Sequence, residues 1–183
     1  DLREDVFRKV RPHAVIHLAT IAYFGAATEE RYKINLGGTQ AVFDEDPSML
    51  FISVHQDPRT CYPGTGHDWE IGVGKGRGYT VNLPLPPGSD DADYLKVFDQ
   101  RVVPELDEFR PEILLISAGF DAHMEDPLAQ MRVSEEGFEL MTRHLTAVAD
   151  HHCQGRVVSA LEGGYNLRAM SRSVVRHLVA LGG

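Results

Sequence analysis

Short apolar runs alternate with longer amphipathic stretches along most of this chain. The short runs are rich in β-branched residues, which is typical of strands buried on both faces of a parallel sheet. They cover residues 14–18, 50–55, 79–83, 113–117 and 156–161. Strands that alternate with helical stretches predict an α/β fold, a parallel sheet flanked by helices.

The longer stretches predict four helices. They cover residues 28–43, 89–109, 134–151 and 166–181. The second begins at an acidic cluster, and the third begins at Ser134 with two glutamates behind it, both favourable helix starts. The fourth places Val174, Leu178 and Leu181 on one face, as expected of a helix that packs on a sheet.

Composition and charge narrow the classes of partner. The chain has 183 residues, 43% of them hydrophobic, with a net charge of −9. Nucleic acid is therefore not expected as a direct partner, because phosphate binding needs clustered Lys and Arg, whereas a cationic substrate is compatible with this charge. No apolar stretch reaches the roughly 18 residues that cross a bilayer, so no membrane partner is expected. Two isolated cysteines, Cys61 and Cys153, favour a reducing compartment, and we expect the cytoplasm.

Two loops that follow predicted strands carry candidate chemistry. They are residues 117–123 and 161–166, and the carboxyl ends of parallel strands are where ligands bind in open α/β sheets. The carboxylate of Asp121 could bind a divalent metal, but an Asp in such a loop is more often a cap or a turn residue. Tyr165, which follows two glycines, could donate its hydroxyl to an oxyanion, or could be a half-buried residue at a helix start. The residues alone leave both pairs of alternatives open.

Five distinctive motifs occur in a fixed order. They are DPSMLFISVH at residues 46–55, YPGTG at 62–66, YTVNLPL at 79–85, SAGFDAH with DPL at 117–128, and EGGYN at 162–166. With them, residues from about 39 to 181 resemble the C-terminal part of the histone deacetylase and acetylpolyamine amidohydrolase superfamily, most like its bacterial class-II-type members. The resemblance implies an arginase-like fold. It also implies a zinc-dependent amidohydrolase that removes acetyl groups from acetylated lysine or from small polyamine-type substrates.

The resemblance assigns roles to individual residues. Asp121 matches the family's second zinc aspartate, and Tyr165 matches the tyrosine that steadies the tetrahedral oxyanion. The residues that match the acyl-lysine tunnel are Tyr62, Leu128, Gly163 and Gly164. The positions where the family often binds monovalent cations such as potassium are Ser53 and Tyr79.

The resemblance fails just before the first of these motifs. The family carries its first zinc pair in a D-x-H-H-G-N-G-T-Q stretch, and residues 38–40 match the end of it. Counting back places Tyr32 and Ile34 at the zinc aspartate and the zinc histidine, and isoleucine cannot bind zinc. The catalytic histidine pair is also absent. The sequence therefore predicts a deacetylase by lineage that is not catalytically competent as this chain stands.

The first part of the chain resembles a different family. Residues 11–19 and 32–39 are similar to NAD-dependent nucleotide-sugar epimerases of the extended short-chain dehydrogenase family, without that family's glycine-rich loop or catalytic Y-x-x-x-K. We therefore expect a hybrid, with an epimerase-like fragment at 1–42, the deacetylase-like part at 43–183, and no cofactor-binding residues for NAD. The alternatives are a non-catalytic α/β assembly module and, more weakly, an epimerase remnant. A missing half-sheet also predicts an exposed apolar edge and self-association.

Overall fold

Five parallel strands form one sheet. The structure, a computed structural model, describes residues 14–17, 46–62 and 64–182, with 14–17 described as backbone only. The strands are β1 (Ala14–His17), β2 (Leu50–Gln56), β3 (Thr80–Leu85), β4 (Leu114–Ala118) and β5 (Val157–Leu161). Their order across the sheet is β3-β2-β1-β4-β5, and every pair is parallel. The predicted α/β class is confirmed.

Four helices accompany the sheet in the described part of the chain. They are α1 (Asp91–Val97), α2 (Val103–Phe109), α3 (Glu135–His152) and α4 (Leu167–Leu181). The side chains of Asp90, Ser134 and Asn166 accept backbone N–H groups at the starts of α1, α3 and α4. These residues satisfy N–H groups that the first turn of a helix leaves without partners. The helix predicted at 28–43 lies outside the described residues.

One predicted helix is interrupted. The sequence predicts a single helix over 89–109, whereas a π-helical turn at Phe98–Val102 separates α1 from α2. The N–H of Val103 donates to the carbonyl of Phe98, five residues back. Pro104, the next residue, has no N–H to donate in a regular helical hydrogen bond. Its position accounts for the local change in the helical hydrogen-bond pattern.

The hydrophobic core lies between the helices and one face of the sheet. Its members come from β2, β3, β4, the inner faces of the helices and the loop between β4 and α3. Because these strands are buried, the loops that follow them begin at fixed positions. The members that are at most 2% exposed include Ile52, Val54, Phe98, Leu106, Leu114, Ile116 and Leu145. In the described residues, no helix is both long and apolar enough to cross a membrane.

The loop between β2 and β3 covers part of the opposite face. Nε2 of His55 lies 2.8 Å from the carbonyl oxygen of Gly66, and Nδ2 of Asn82 donates to the carbonyl of Glu70 at 2.8 Å. These bonds hold the loop against β2 and β3, which lie at the opposite end of the strand order from β5.

The first described strand occupies the middle of the sheet. β1 pairs with β2 on one side, where His17 is in register with Ser53, and with β4 on the other, where His17 is in register with Ser117. A strand from the predicted epimerase-like fragment therefore joins the sheet of the deacetylase-like part. The rest of that fragment and its predicted junction lie outside the described residues.

Candidate active site

The loops after β4 and β5 are tied together at the carboxyl edge of the sheet. The N–H of Phe120 donates to the carbonyl of Gly163 at 2.9 Å, and the N–H of Tyr165 donates to Oδ2 of Asp126 at 2.8 Å. The N–H of Glu162 donates to the carbonyl of Ala118 at 3.0 Å. The two loops that the sequence singles out therefore form one unit, as the parallel arrangement predicts.

Asp121 is buried beneath the diglycine turn. Its side chain is 0% exposed. A Cβ added at Gly163 would lie 2.8 Å from Oδ2 of Asp121, closer than Cβ atoms approach such atoms in real structures, and 3.1 Å from Cγ, which is a tight contact. Gly163 is thus needed for the close approach of the carboxylate, whereas Gly164 has a φ of 138° that favours glycine by conformation.

Tyr165 lies where the loop after β5 turns into α4. Asn166, the next residue, caps α4 by accepting the N–H groups of Arg168 at 3.1 Å and Ala169 at 3.2 Å. Nδ2 of Asn166 also donates to the carbonyl of Glu125 at 3.0 Å. The half-buried Tyr165 is therefore held between the loop after β4 and a helix start, on the same edge as Asp121.

The buried side chain of Gln56 connects the two loops that carry Tyr62 and Leu128, two of the predicted tunnel residues. Tyr62 and Leu128 are 46% and 43% exposed and lie on the loops after β2 and β4. Gln56, 1% exposed, donates from Nε2 to Oγ1 of Thr60 at 3.0 Å and accepts at Oε1 from the N–H of Gln130 at 2.9 Å. One amide therefore fixes both loops. Sequence reasoning did not identify Gln56, whose only signal is a polar residue at the end of an apolar strand.

A thiol on the loop after β2 lies within electrostatic reach of Asp121. Burial raises the pKa of Cys61, and the carboxylates of Asp57 and Asp121 raise it further. Its Sγ contacts the carbonyl oxygen of Gln56 at 3.4 Å. The loop after β2 therefore approaches the same edge as the loops after β4 and β5.

The two residues predicted at monovalent-cation positions, Ser53 and Tyr79, lie apart in the sheet. Ser53 is buried and its Oγ lies 2.8 Å from Nδ1 of His55. Tyr79 packs edge-on against Phe109, with ring centroids 6.0 Å apart. Ser53 is in register with Asn82, three residues beyond Tyr79, a separation of roughly 10 Å along a strand. Binding of potassium at either residue stays a prediction.

His123 faces the helices rather than the carboxyl edge. Its Nδ1 accepts the N–H of Glu125 at 3.0 Å, and its Nε2 lies 3.5 Å from Oε1 of Glu135 on α3. The ring stacks on Phe138 at an interplanar angle of 9°. These contacts give His123 a packing role between the loop after β4 and α3.

The described residues do not fit a zinc ion by themselves. Protein-bound zinc takes three or four Cys, His, Asp or Glu ligands. Within residues 46–62 and 64–182, no group of three such side chains could hold a metal. Asp121 is the one predicted ligand there, and Tyr32 and Ile34, at the expected positions of two others, lie outside the described residues.

Comparison with known proteins gives a family match. The family described as "Histone deacetylase domain" matches residues 37–181, close to the predicted span of 39–181. A "Probable deacetylase" of Archaeoglobus fulgidus is 48% identical over 130 residues, which cover 71% of this chain and 36% of that protein. The chloroplastic histone deacetylase 14 of Arabidopsis thaliana is 46% identical over 144 residues, 79% of this chain and 34% of that protein.

Solved structures share the fold. The HDA15 HD domain superposes with a TM-score of 0.78 at 35% identity, over 98% of this chain and 47% of that one. An acetylpolyamine aminohydrolase from Burkholderia pseudomallei gives a TM-score of 0.77 at 30% identity, with the same coverage. The chain therefore spans between about a third and a half of the length of these relatives.

Proposed function

Because this chain belongs to the histone deacetylase family, whose domain matches residues 37–181, we propose that it carries one part of an amidohydrolase site for acetylated amines. The observation that supports this most is the position of Asp121 beneath Gly163, on the loop joined to Tyr165. The named activities of the relatives, histone deacetylase and acetylpolyamine aminohydrolase, suggest acetylated lysine or an acetylated polyamine as the substrate.

Three roles are proposed for the described residues. Tyr165 is the proposed hydroxyl donor to the oxyanion that forms when an acetamide carbonyl is attacked. Tyr62 and Leu128 are the proposed walls that hold the apolar stem of the acylated amine, since both are partly exposed on adjoining loops. Gly163, which has no side chain, leaves room for the Asp121 carboxylate.

We further propose that this chain does not hydrolyse acetylated amines on its own. Amide hydrolysis needs a positioned base for the attacking water besides a donor to the oxyanion. His123 does not supply that base, because its ring packs on Phe138 and faces Glu135. Zinc would polarise the acetamide carbonyl and activate the water, but the described residues contain too few ligands to hold it.

Hydrolysis of an acetyl-lysine peptide tests this proposal. We expect no release of acetate above the buffer rate from wild type, from Tyr165→Phe or from an Ala147→Glu control, whose exposed position lies on α3. Turnover by wild type and the control that is lost in Tyr165→Phe and in Asp121→Asn would contradict the proposed inactivity. It would support the assigned roles of Asp121 and Tyr165.

A non-catalytic assembly module is the second candidate function. The observation that favours it is a group of large apolar side chains exposed on β5 and α4, among them Val158, Leu161 and Leu178. Such a group is expected where another polypeptide packs.

A further inference from the structure

The loop after β2 carries two stacked aromatic rings. The rings of His67 and Trp69 have centroids 4.1 Å apart and an interplanar angle of 8°. Trp69 is 68% exposed, so much of the ring surface turned away from His67 is open to solvent. It is also the single tryptophan of the chain. An aromatic ring that is held in place on one face and open on the other can bind a ligand at little cost in side-chain ordering.

Hydrogen bonds hold the turn that carries this pair. The N–H of Glu70 donates to the carbonyl of His67 at 2.9 Å and closes the turn. The carboxylate of Glu70 accepts the N–H of Gly66 at 3.0 Å, and the carbonyl of Glu70 accepts Nδ2 of Asn82 on β3 at 2.8 Å. The carbonyl oxygen of Gly66 lies 2.8 Å from Nε2 of His55 on β2. The turn is therefore attached to two strands of the sheet.

The turn lies beside the segment that leads to Tyr62. His67 is five positions after Tyr62, which limits the distance between their Cα atoms to about 18 Å. Hydrogen bonds to Arg59 lower the pKa of Asp57 to about 2, and the His67 ring makes a smaller contribution in the same direction. The stacked pair therefore lies near the start of the loop that carries Tyr62, a proposed wall of the site.

The same segment extends toward Asp121. Burial raises the pKa of the Cys61 thiol, and the carboxylates of Asp57 and Asp121 raise it further, so Cys61 lies within electrostatic reach of both. Cys61 directly precedes Tyr62. The segment from Asp57 to Tyr62 therefore connects the surroundings of the stacked pair with those of Asp121.

The loops around the pair carry negative charge. Residues 57–70 contain three carboxylates and one arginine, and that arginine is bonded to Asp57. Residues 119–128, on the loop that carries Asp121, contain three carboxylates and neither Lys nor Arg. A negative potential attracts cations, and the tryptophan ring is the side chain that binds a cation best through its face. This surface therefore suits an ammonium group.

We propose that the open face of Trp69 is a subsite for an ammonium group that an acylated amine carries beyond its acylated nitrogen. The exposed carboxylate of Asp68 adds negative charge next to the ring. This inference rests on the proposed function, because the acetamide end of the ligand is assigned to the edge with Asp121 and Tyr165. It narrows the substrate to acetylated amines with a second cationic centre, such as an acetylated polyamine.

The fluorescence of Trp69 tests the subsite directly. N-acetylspermidine is the probe, and an N-alkylacetamide of similar length, which has no ammonium group, is the matched neutral ligand. With the whole chain, we expect a saturable change in emission on addition of N-acetylspermidine. The neutral ligand should bind about fivefold or more weakly, since it lacks the cation–π contact.

Three variants locate the contact. Trp69→Leu keeps an apolar side chain without an aromatic face, and Trp69→Phe keeps an aromatic ring. By calorimetry, N-acetylspermidine should bind about three- to tenfold more weakly to Trp69→Leu, with a smaller loss for Trp69→Phe. Val73→Ala shortens another exposed apolar side chain of the same loop and should bind like wild type. All three should melt like wild type, because both positions are exposed.

Spermidine without an acetyl group separates this inference from the proposed function. If the proposed function is wrong and the subsite is real, spermidine and N-acetylspermidine bind equally, and both lose affinity in Trp69→Leu. Equal binding of the charged and neutral acetamides, wild-type affinity in Trp69→Leu, or no response to either polyamine would overturn the subsite. So would an emission change that follows protein concentration instead of ligand, because a second copy of the chain would then cover Trp69.

Discussion

At the level of single residues, Gly163 packs closely against Asp121 in the candidate site. A side chain at Gly163 would force Asp121 or the diglycine turn to move, because the added Cβ would lie 2.8 Å from Oδ2. The neighbouring loop has little room to shift, since Phe120 is bonded to the carbonyl of Gly163 itself. Burial of Asp121 and the identity of residue 163 are therefore coupled.

Gly163→Ala should lower the free energy of unfolding by about 1–3 kcal/mol, the usual cost of overpacking a filled site. Urea unfolding measures this. Gly182→Ala is the matched control, because its added Cβ would lie 3.5 Å from the carbonyl oxygen of Leu178, an ordinary contact. Equal stabilities of the two variants would contradict the tight packing of Asp121.

The sequence predicts that Asp121 and Tyr165 lie at the carboxyl edge of the sheet, because the positions of the strands before them are enough for that prediction. Each follows an apolar run, and parallel strands present their carboxyl ends at one edge. Gln56 could not be found this way, since its role depends on two loops, reached at Thr60 and Gln130, that only the folded chain brings together. The direction of the His123 ring depends on α3 for the same reason.

At the level of secondary-structure elements, hydrogen bonds between Asp91 and Ser134 connect the start of α1 to the start of α3. The carboxylate of Asp91, the first residue of α1, accepts the N–H of Ser134 at 2.7 Å and also bonds the Ser134 hydroxyl. Gly137 makes room for it, because a Cβ there would lie 2.1 Å from Oδ1 of Asp91. A carboxylate at this end of α3 also interacts favourably with the helix dipole.

Asp91→Ala should therefore destabilise the fold by about 1–2 kcal/mol, as the loss of two part-buried hydrogen bonds at a helix start does. Thermal or urea unfolding measures the change. Asp150→Ala removes a carboxylate from an exposed position of α3 and should change stability by less than about 0.5 kcal/mol. A penalty for Asp91→Ala no greater than that of the control would show that the two helices do not depend on this contact.

A buried histidine links α3, α4 and β5. Oγ1 of Thr142 donates to the carbonyl of Phe138 at 2.7 Å, so it accepts from Nδ1 of His177, also 2.7 Å away. Nε2 of the neutral ring then accepts the hydroxyl of Ser159 at 2.8 Å. Burial lowers the pKa of His177 below its ordinary value of 6.5, because the charged form loses its hydration.

The unfolded chain therefore binds the proton of His177 more readily, and stability should fall as the pH drops below 6.5. His177→Gln removes this proton uptake. The difference in unfolding free energy between wild type and His177→Gln should narrow between pH 7.5 and 5.5, by at most about 1.4 kcal/mol per pH unit. Urea titrations at both pH values measure it, and a constant difference would contradict a neutral, buried His177.

The elements themselves follow closely from the hydrophobic pattern. The four strands predicted after residue 45 shift by at most two residues at either end, and the helix at 134–151 becomes Glu135–His152. The π-helical turn at Phe98–Val102 was not predicted, because both halves of 89–109 keep helical periodicity and only Pro104 marks the break.

At the scale of the whole molecule, the position of β1 has the largest consequence. β1 precedes the part of the chain that matches the deacetylase domain, and it lies in the centre of a sheet whose other strands belong to that domain. The apolar sequence of β1 is enough for it to occupy the centre of the sheet, because a central parallel strand mainly requires apolar residues on both faces. The sequence predicts an exposed apolar edge, and among the described strands β3 and β5 are the two that end the sheet.

We propose that this chain carries part of a deacetylase site, and its described residues include too few ligands to hold zinc. The most direct test is the zinc content of the purified, tag-free chain, measured by mass spectrometry after dialysis, beside that of Asp121→Ala. We expect well below one zinc per chain for both proteins. One zinc per chain in wild type that is lost in Asp121→Ala would contradict it and show that residues outside the described part complete the site.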